Sequence, residues 1–311
     1  MFRVSRSKQP GSLRMNRRDR LDPLAMAATT TLCALWGFQQ VAIKVTNAGI
    51  SPAFQSGLRS IGALALLVAW CRFRGVSLLA RDGTLQVGVL AGLLFAAEFA
   101  LIYWSLEFTE VARSIIFLYT APFFVAFGAH YFVQGEKLHP TQIVGLLCAF
   151  AGVLLALWDG LSLPSSRAVI GDCMMLGAAI LWAATTVLIK GSKLARIDPA
   201  RTLGYQLAVS GVALTVLAPL FGEAGIISLT PLVIASLAYQ TVIVAFASYL
   251  SWFALMRIYP ASTLSAFTFL TPIFAMFFGA ALLGERLSIA LGIALAFVAF
   301  GIWLVNRPRS T

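Results

Sequence analysis

Residues 35–44, Leu-Trp-Gly-Phe-Gln-Gln-Val-Ala-Ile-Lys, return at residues 181–190 as Leu-Trp-Ala-Ala-Thr-Thr-Val-Leu-Ile-Lys. Trp36, Val41, Ile43 and Lys44 thus recur as Trp182, Val187, Ile189 and Lys190. The echo continues downstream. Pro52-Ala53 with Gly57 returns as Pro199-Ala200 with Gly204, the Pro122 segment as that of Pro272, Gly135-Glu136-Lys137-Leu138 as Gly284-Glu285-Arg286-Leu287, and Gly152 as Gly301. A chain that repeats itself over this length is two copies of one unit.

Composition says what kind of unit. Of 311 residues, 59% are hydrophobic and only 11% charged, with a mean hydropathy of +0.87, whereas soluble domains carry about 25% charged residues. Crossing a hydrocarbon core takes roughly 20 apolar residues per helix. Ten such segments are predicted, at about 24–46, 53–72, 84–105, 112–132, 140–158, 168–189, 202–221, 231–256, 261–282 and 287–306. The runs are continuous and rich in Leu, Ala and Gly, unlike the short alternating segments of a membrane β-barrel. The expected fold is therefore an all-α polytopic membrane protein with five helices in each copy. Two copies with an odd number of spans must lie inverted in the bilayer. Residues 24–158 form the first repeat and 168–306 the second, preceded by a basic arm over 1–23 and followed by a short tail over 307–311.

The formal charge of +11 could point to nucleic acid, but its distribution does not. With the N-terminus inside the cell, eighteen Lys and Arg fall on the cytoplasmic side and four (Lys44, Arg113, Arg167 and Arg286) outside, with Arg59 left within a span. This is the asymmetry that orients membrane proteins, and it predicts cytoplasmic termini in a bacterial-type inner membrane. The arm is polar, contains Pro10-Gly11 and is expected to be disordered beside anionic lipid. The first apolar run is too long for the h-region of a signal peptide and reads as a retained span. Cys33, Cys71, Cys148 and Cys173 lie in or at the ends of spans without CxxC spacing, and read as packing residues.

Several classes of chemistry lack their motifs. No GxxxxGK[ST] loop is present to cradle nucleotide phosphates, and no GxSxG, HExxH or EF-hand pattern occurs. The aspartates are scattered; the one close pair, Asp19 and Asp22, sits in the arm, so no magnesium site is expected. His130 and His139 lie near a helix end and in a short loop, where solvated or interfacial roles are ordinary. No cofactor, metal or catalytic residue is expected. Movement of a solute suits the chain better than catalysis, and a non-transporting scaffold or regulatory protein is the alternative of another class.

The motifs together resemble a known module. Trp36-Gly37 with Lys44, Pro52 followed by Arg59, Ala121-Pro122, Gly135-Glu136-Lys137-Leu138 and Gly145 with Gly152 are similar to the EamA module of the drug/metabolite transporter superfamily. The second half offers Trp182 with Lys190, Pro199 followed by Tyr205-Gln206, Thr271-Pro272 and Gly284-Glu285-Arg286-Leu287, departing at Ala183 and Ala294 where the first half has Gly37 and Gly145. The resemblance implies ten helices in two inverted repeats, a central cavity, and export of amino acids, metabolites or toxic cations. The nearest subgroup resembles the aromatic amino acid exporters of the YddG type.

The candidate site residues follow from polarity inside apolar runs. Glu98, in the third span, is costly there and reads either as a receiver of a substrate ammonium or of a proton, or as an internal partner of Arg59. Arg59 itself reads as snorkelling toward the headgroups or holding a helix end, and Lys44 and Lys190 as interfacial anchors. Trp36 and Gln40 share one helical face, as do Trp182 and Thr186, with Gln39 and Thr185 beside them. If both faces look inward they meet at mid-membrane, each offering an aromatic surface and a hydrogen-bonding group, which suits a zwitterion with an apolar side chain. Tyr103, Tyr119, Tyr239, Gln240, Tyr249, Ser251 and Trp252 extend the aromatic and polar lining. Pro122 and Pro272 are expected to kink the fourth and ninth spans as pivots. Gly88, Gly92, Gly145, Gly152, Gly292 and Gly301 read as close helix contacts. The expected partners are a small-molecule substrate and membrane lipid, with no nucleic acid and a monomeric chain. An uncharged aromatic cavity predicts broad cargo, with cationic drugs as the runner-up to amino acids.

Overall fold

Helix starts in this chain are written as a polar cap followed by proline. Asp22-Pro23, Ser51-Pro52, Asp198-Pro199 and Thr230-Pro231 each open a helix; Asp22 Oδ1 accepts from Ala25 N, and Asp198 Oδ1 from Ala200 N, both at 2.9 Å. Proline there loses no helical hydrogen bond and arrives with a helical φ. The computed structural model describes residues 18–78, 80, 82–105, 108–158, 165–283 and 290–307. Most of the arm, the Gly284–Leu287 motif and the last tail residues lie outside the described residues.

The elements are α1 (Pro23–Asn47), α2 (Pro52–Arg74), α3 (Leu85–Ser105), α4 (Val111–Leu118), α5 (Ala121–Phe132), α6 (Pro140–Leu157), α7 (Ser166–Gly191), α8 (Pro199–Leu220), α9 (Pro231–Tyr239), a π-helical segment (Gln240–Ser248), α10 (Tyr249–Ile258), α11 (Ala261–Phe267), α12 (Leu270–Leu283) and α13 (Ala290–Val305). Among the described residues no strand forms, only an isolated bridge between Ile50 and Ile226. Eight helical stretches are long and apolar enough to cross a membrane, α4 with α5, α9 with α10, and α11 with α12 each counting as one. The 25-residue α1 falls outside that set because Thr29, Thr30, Thr31, Gln39, Gln40 and Lys44 dilute its hydropathy, and α13 because it is shorter. The start of α1 and the end of α13 meet: Leu21 N donates to Asn306 Oδ1 at 2.9 Å, and Asn306 Nδ2 returns a bond to Leu21 O at 3.2 Å.

The repeat is visible in which residues touch. Gly145 and Gly301 lie so close that a Cβ on either would stand 2.6 or 2.4 Å from the other's carbonyl oxygen, and a Cβ on Gly152 would stand 2.7 Å from Ala294 O. Gly145 is equivalent to Ala294 and Gly152 to Gly301, so each copy's first position meets the other copy's second across α6 and α13. Such an exchange is what a two-fold relation between the copies produces. Gly88 and Gly92 take a different neighbour, the Tyr205 and Val209 side of α8. Gly292, expected as a close contact, has nothing among the described residues within 4 Å of where its Cβ would stand. Gly301→Leu is therefore expected to destabilise the fold by ~1–3 kcal/mol, since backbone atoms must separate, and Gly292→Leu to be near neutral; melting of the purified protein checks both.

A helix break precedes each of two prolines. A proline at position i leaves the carbonyl at i−4 without a donor, and the helix breaks at that place in both copies: α4 ends at Leu118 before Pro122, and α11 at Phe267 before Pro272.

Polar ties join the loops to the bundle. Glu223 Oε1 and Oε2 accept from Ala53 N and Phe54 N at 2.9 Å each, closing the exposed N-terminus of α2 from the end of α8. On the other face, Arg201 Nη1 binds Asp82 Oδ2 at 2.5 Å. Hydrogen bonds from Arg201 and then Thr84 hold the Asp82 carboxyl well below the usual carboxylate range. A depressed pKa contributes stability above the unfolded value, about 4, and loses it as pH falls through the folded value. The melting gap between wild type and Asp82→Asn is thus expected to hold from neutral pH to about pH 4 and to close below it.

Lys190 corrects an expectation. It is no interfacial anchor: its Nζ lies 2.7 Å from Glu136 Oε1 and donates to Met256 O at 2.9 Å and Tyr259 O at 2.5 Å, with the Lys190 and Glu136 side chains 4% and 7% exposed. Glu136 Oε2 also accepts from Ala261 N at 2.7 Å. The Gly-Glu motif of one copy thereby holds three elements of the other. Lys44, by contrast, is exposed.

Candidate functional site: a central aromatic cavity

The duplicated Trp helices, α1 and α7, face one cavity of about 240 Å³. Trp36, Gln39 and Gln40 line it from the first copy, and Trp182, Thr185 and Thr186 from the second. The face shared at four-residue spacing is what brings them there. Glu98 and Tyr103 reach it from α3, Tyr119 from the break between α4 and α5, and Tyr249 and Trp252 from α10. Tyr239 and Gln240 do not line it. The Tyr239 hydroxyl donates to Leu35 O at 2.9 Å, and Gln240 Nε2, fully buried, donates to Thr46 Oγ1 at 2.9 Å and Gln55 Oε1 at 3.2 Å, so both tie helices together behind the wall. Ser251 is exposed and bonds back to Ala247 O.

Aromatic rings set the shape. Trp36 stands edge-on to Trp252 with centroids 5.2 Å apart and to Tyr249 at 6.3 Å, and Tyr119 meets Trp182 at 6.2 Å. Edge-to-face contacts at these separations are favourable and leave ring faces available. Trp36 Nε1 donates to Ser248 Oγ at 2.9 Å, and Ser248 ends the π-helical segment. Wide turns of this kind re-aim the side chains that follow; here Tyr249, Trp252, Phe253 and Met256 come next and all line the cavity. Nothing in residues 240–248 announces a π-helix, since neither Gly nor Pro occurs there.

Polar groups are few and distinct. Glu98 is 7% exposed and contributes the one carboxylate of the lining among the described residues. Gln206 Oε1 and Ser114 Oγ, also on lining residues, are buried without a hydrogen-bond partner among the described residues. Arg59 neither snorkels nor caps a helix end. It is fully buried, with its guanidinium 4.9 Å above the Phe99 ring, and it acts electrostatically on Glu98. Sequence reasoning passed over Gln206 and Phe99 as lining residues. A signal was present for Gln206, which stands seven residues after Pro199 as Arg59 stands seven after Pro52.

The EamA-like transporter family model matches residues 23–158 and again 169–307. The chain belongs to the EamA-like transporter family. Among relatives of this EamA protein, an uncharacterized transporter of Archaeoglobus fulgidus is 27% identical over 282 residues, covering 88% of this chain and 94% of its own length. A protein of Escherichia coli named a probable amino-acid metabolite efflux pump is 27% identical, covering 82% of this chain and 85% of itself. A solved crystal structure matches with a TM-score of 0.80 at 19% identity, covering 92% of this chain and 97% of its own, and shows the likeness of fold. The EamA chain is a multi-pass membrane transporter.

Proposed function

We propose that this transporter exports small metabolites, with amino acids, aromatic ones among them, as cargo, by alternating access of the central cavity. The observation that carries the reading is a cavity with Trp36, Trp182 and Trp252 around one carboxylate, Glu98, and a few neutral hydrogen-bonding groups. Apolar walls with a small number of oriented polar groups are the usual makeup of a small-molecule site. The printed names of relatives in Escherichia coli and Salmonella typhimurium, probable amino-acid metabolite efflux pumps, point the same way. In this reading Trp36, Gln39, Gln40, Tyr103, Tyr119, Trp182, Thr186 and Trp252 hold cargo, and Glu98 receives its ammonium or a proton. The helix breaks at Pro122 and Pro272 serve as pivots, and Tyr239 and Gln240 support the wall.

The accompanying topology is ten spans in two inverted five-helix repeats, 24–158 and 168–306, in the inner membrane of a bacterial-type cell with both termini cytoplasmic. The hydrogen bonds between Leu21 and Asn306 support termini on one side, and an inner membrane transporter of Escherichia coli is among the relatives. The working unit is a monomer, and no enzymatic step is proposed. Counterflow in proteoliposomes tests the cargo: each unlabelled amino acid is loaded inside, and entry of the same labelled compound is followed. Saturable entry across several apolar and aromatic amino acids is expected. Silence across that panel, with counterflow of lipophilic cations instead, would replace this reading by cationic drug efflux, for which Glu98 in its aromatic surround is the favouring observation.

A further inference from the structure

Arg59 is a buried cation without a full set of partners. Its Nη2 donates to Ser56 Oγ at 3.3 Å, whereas Nε and Nη1 are buried and have no hydrogen-bond partner among the described residues. A guanidinium is always charged and presents its donors in a rigid fork, and leaving such donors empty in a dry interior is costly. The cost is met where a group is waiting for a ligand. Arg59 is fully buried and is not itself part of the lining, but it stands directly behind it: Phe99 lies under the guanidinium, the Tyr249 hydroxyl is within its bonding reach, and it acts electrostatically on Glu98, all three being lining residues. Its equivalent in the second copy, Gln206, does line the cavity and carries the acceptor Oε1, unpartnered among the described residues. At equivalent positions of a duplicated frame, one copy therefore holds cationic donors one layer behind the lining and the other a neutral acceptor on it.

Arg59 and Glu98 interact without closing an ion pair among the described residues. We propose that Arg59 and Glu98 form a headgroup subsite that reads an α-amino acid as a zwitterion, Glu98 taking the ammonium on the lining and Arg59, reaching past Phe99 and Tyr249 from directly behind it, taking the carboxylate. This deepens the exporter reading and rests on it. A zwitterion carries both charges on one carbon and neutralises both protein charges at once. Its carboxylate accepts charge-assisted hydrogen bonds from Nε and Nη1, and its side chain is left to the rings of Trp36, Trp182 and Trp252. A monocation or a monoanion of the same shape satisfies one protein charge and leaves the other buried and unanswered. The site is therefore selective against simple cations, although its walls are aromatic and one of its residues is acidic.

Phenylalanine, phenethylamine and 3-phenylpropionate share a ring and differ in headgroup, so they isolate the charge term. The full-length purified protein, titrated at neutral pH and followed by intrinsic tryptophan fluorescence, is expected to bind phenylalanine at least tenfold more tightly than either monoion, as two simultaneous charged contacts require. Arg59→Met is expected to weaken phenylalanine by tenfold or more while leaving phenethylamine unchanged or improved. Arg59→Lys keeps the charge but loses the fork, and is expected to retain the preference at severalfold lower affinity; it serves if Arg59→Met does not fold. Binding of all three ligands by wild type without discrimination would overturn the subsite and leave the exporter reading standing, as would an equal loss of all three in Arg59→Met. Wild type binding phenethylamine alone would overturn both.

Discussion

Lys190→Met is expected to lower stability by ~3–5 kcal/mol, the cost of leaving one charge of a buried pair uncompensated. The ammonium is shared among Glu136 and the carbonyls of Met256 and Tyr259. Removal strands all three, and among the described residues Glu136 keeps only the side-chain bond from Ala261 N. Glu136→Gln is expected to destabilise as well, because an amide has an acceptor at only one of the two carboxylate positions: keeping the bond from Ala261 N turns its NH2 donors toward the ammonium, which stays buried without a counter-charge. A double variant, Glu136→Met with Lys190→Met, removes both charges and is expected to recover part of the loss, since replacing a whole buried pair by apolar groups is often close to neutral. Thermal melting of the purified protein measures all three. A Lys190→Met melting point within about 1 °C of wild type would mean the pair is solvated in the membrane-embedded protein and contributes little.

The part of the fold carried by periodic or duplicated signals was legible in the sequence. Continuous apolar runs gave the helices, the Trp36 and Trp182 decades gave two copies, and four-residue spacing gave the faces that meet in the cavity. Breaks before Pro122 and Pro272 followed from the chemistry of proline. The departures have a common cause: they concern partners distant in sequence. Position along a span says how deep Arg59 and Lys190 lie, but not which helices surround them, so a charge near a helix end reads as meeting the headgroups. Arg59 is instead enclosed by α2, α3 and their neighbours, and Lys190 meets a loop 54 residues earlier and carbonyls 66 and 69 residues later. Gln240 resembles Gln39 as a polar residue in an apolar run, yet it faces Thr46 and Gln55 and not the cavity. The π-helical turn beside it shifts the register of everything that follows, and this shift depends on packing that no local pattern records.

Glu98→Gln is expected to reduce transport by about 10- to 150-fold, corresponding to the ~1.5–3 kcal/mol carried by a hydrogen bond to a charged group. The substitution keeps the size of the side chain and removes its charge, so the Phe95, Phe99 and Tyr249 packing around it is preserved. Two consequences can be separated in proteoliposome counterflow. If the carboxylate binds the cargo ammonium, the loss appears in the half-saturating concentration. If it carries a proton during the cycle, the maximal rate falls and the pH dependence of transport flattens, because an amide does not titrate in this range. Glu98→Asp keeps the charge but retracts it by one methylene, and should recover part of either loss. Glu98→Gln transporting every tested amino acid at the wild-type rate and with the wild-type pH profile would assign Glu98 to holding Arg59 alone, and the carboxylate would then be a structural counter-charge to a cation buried within the wall.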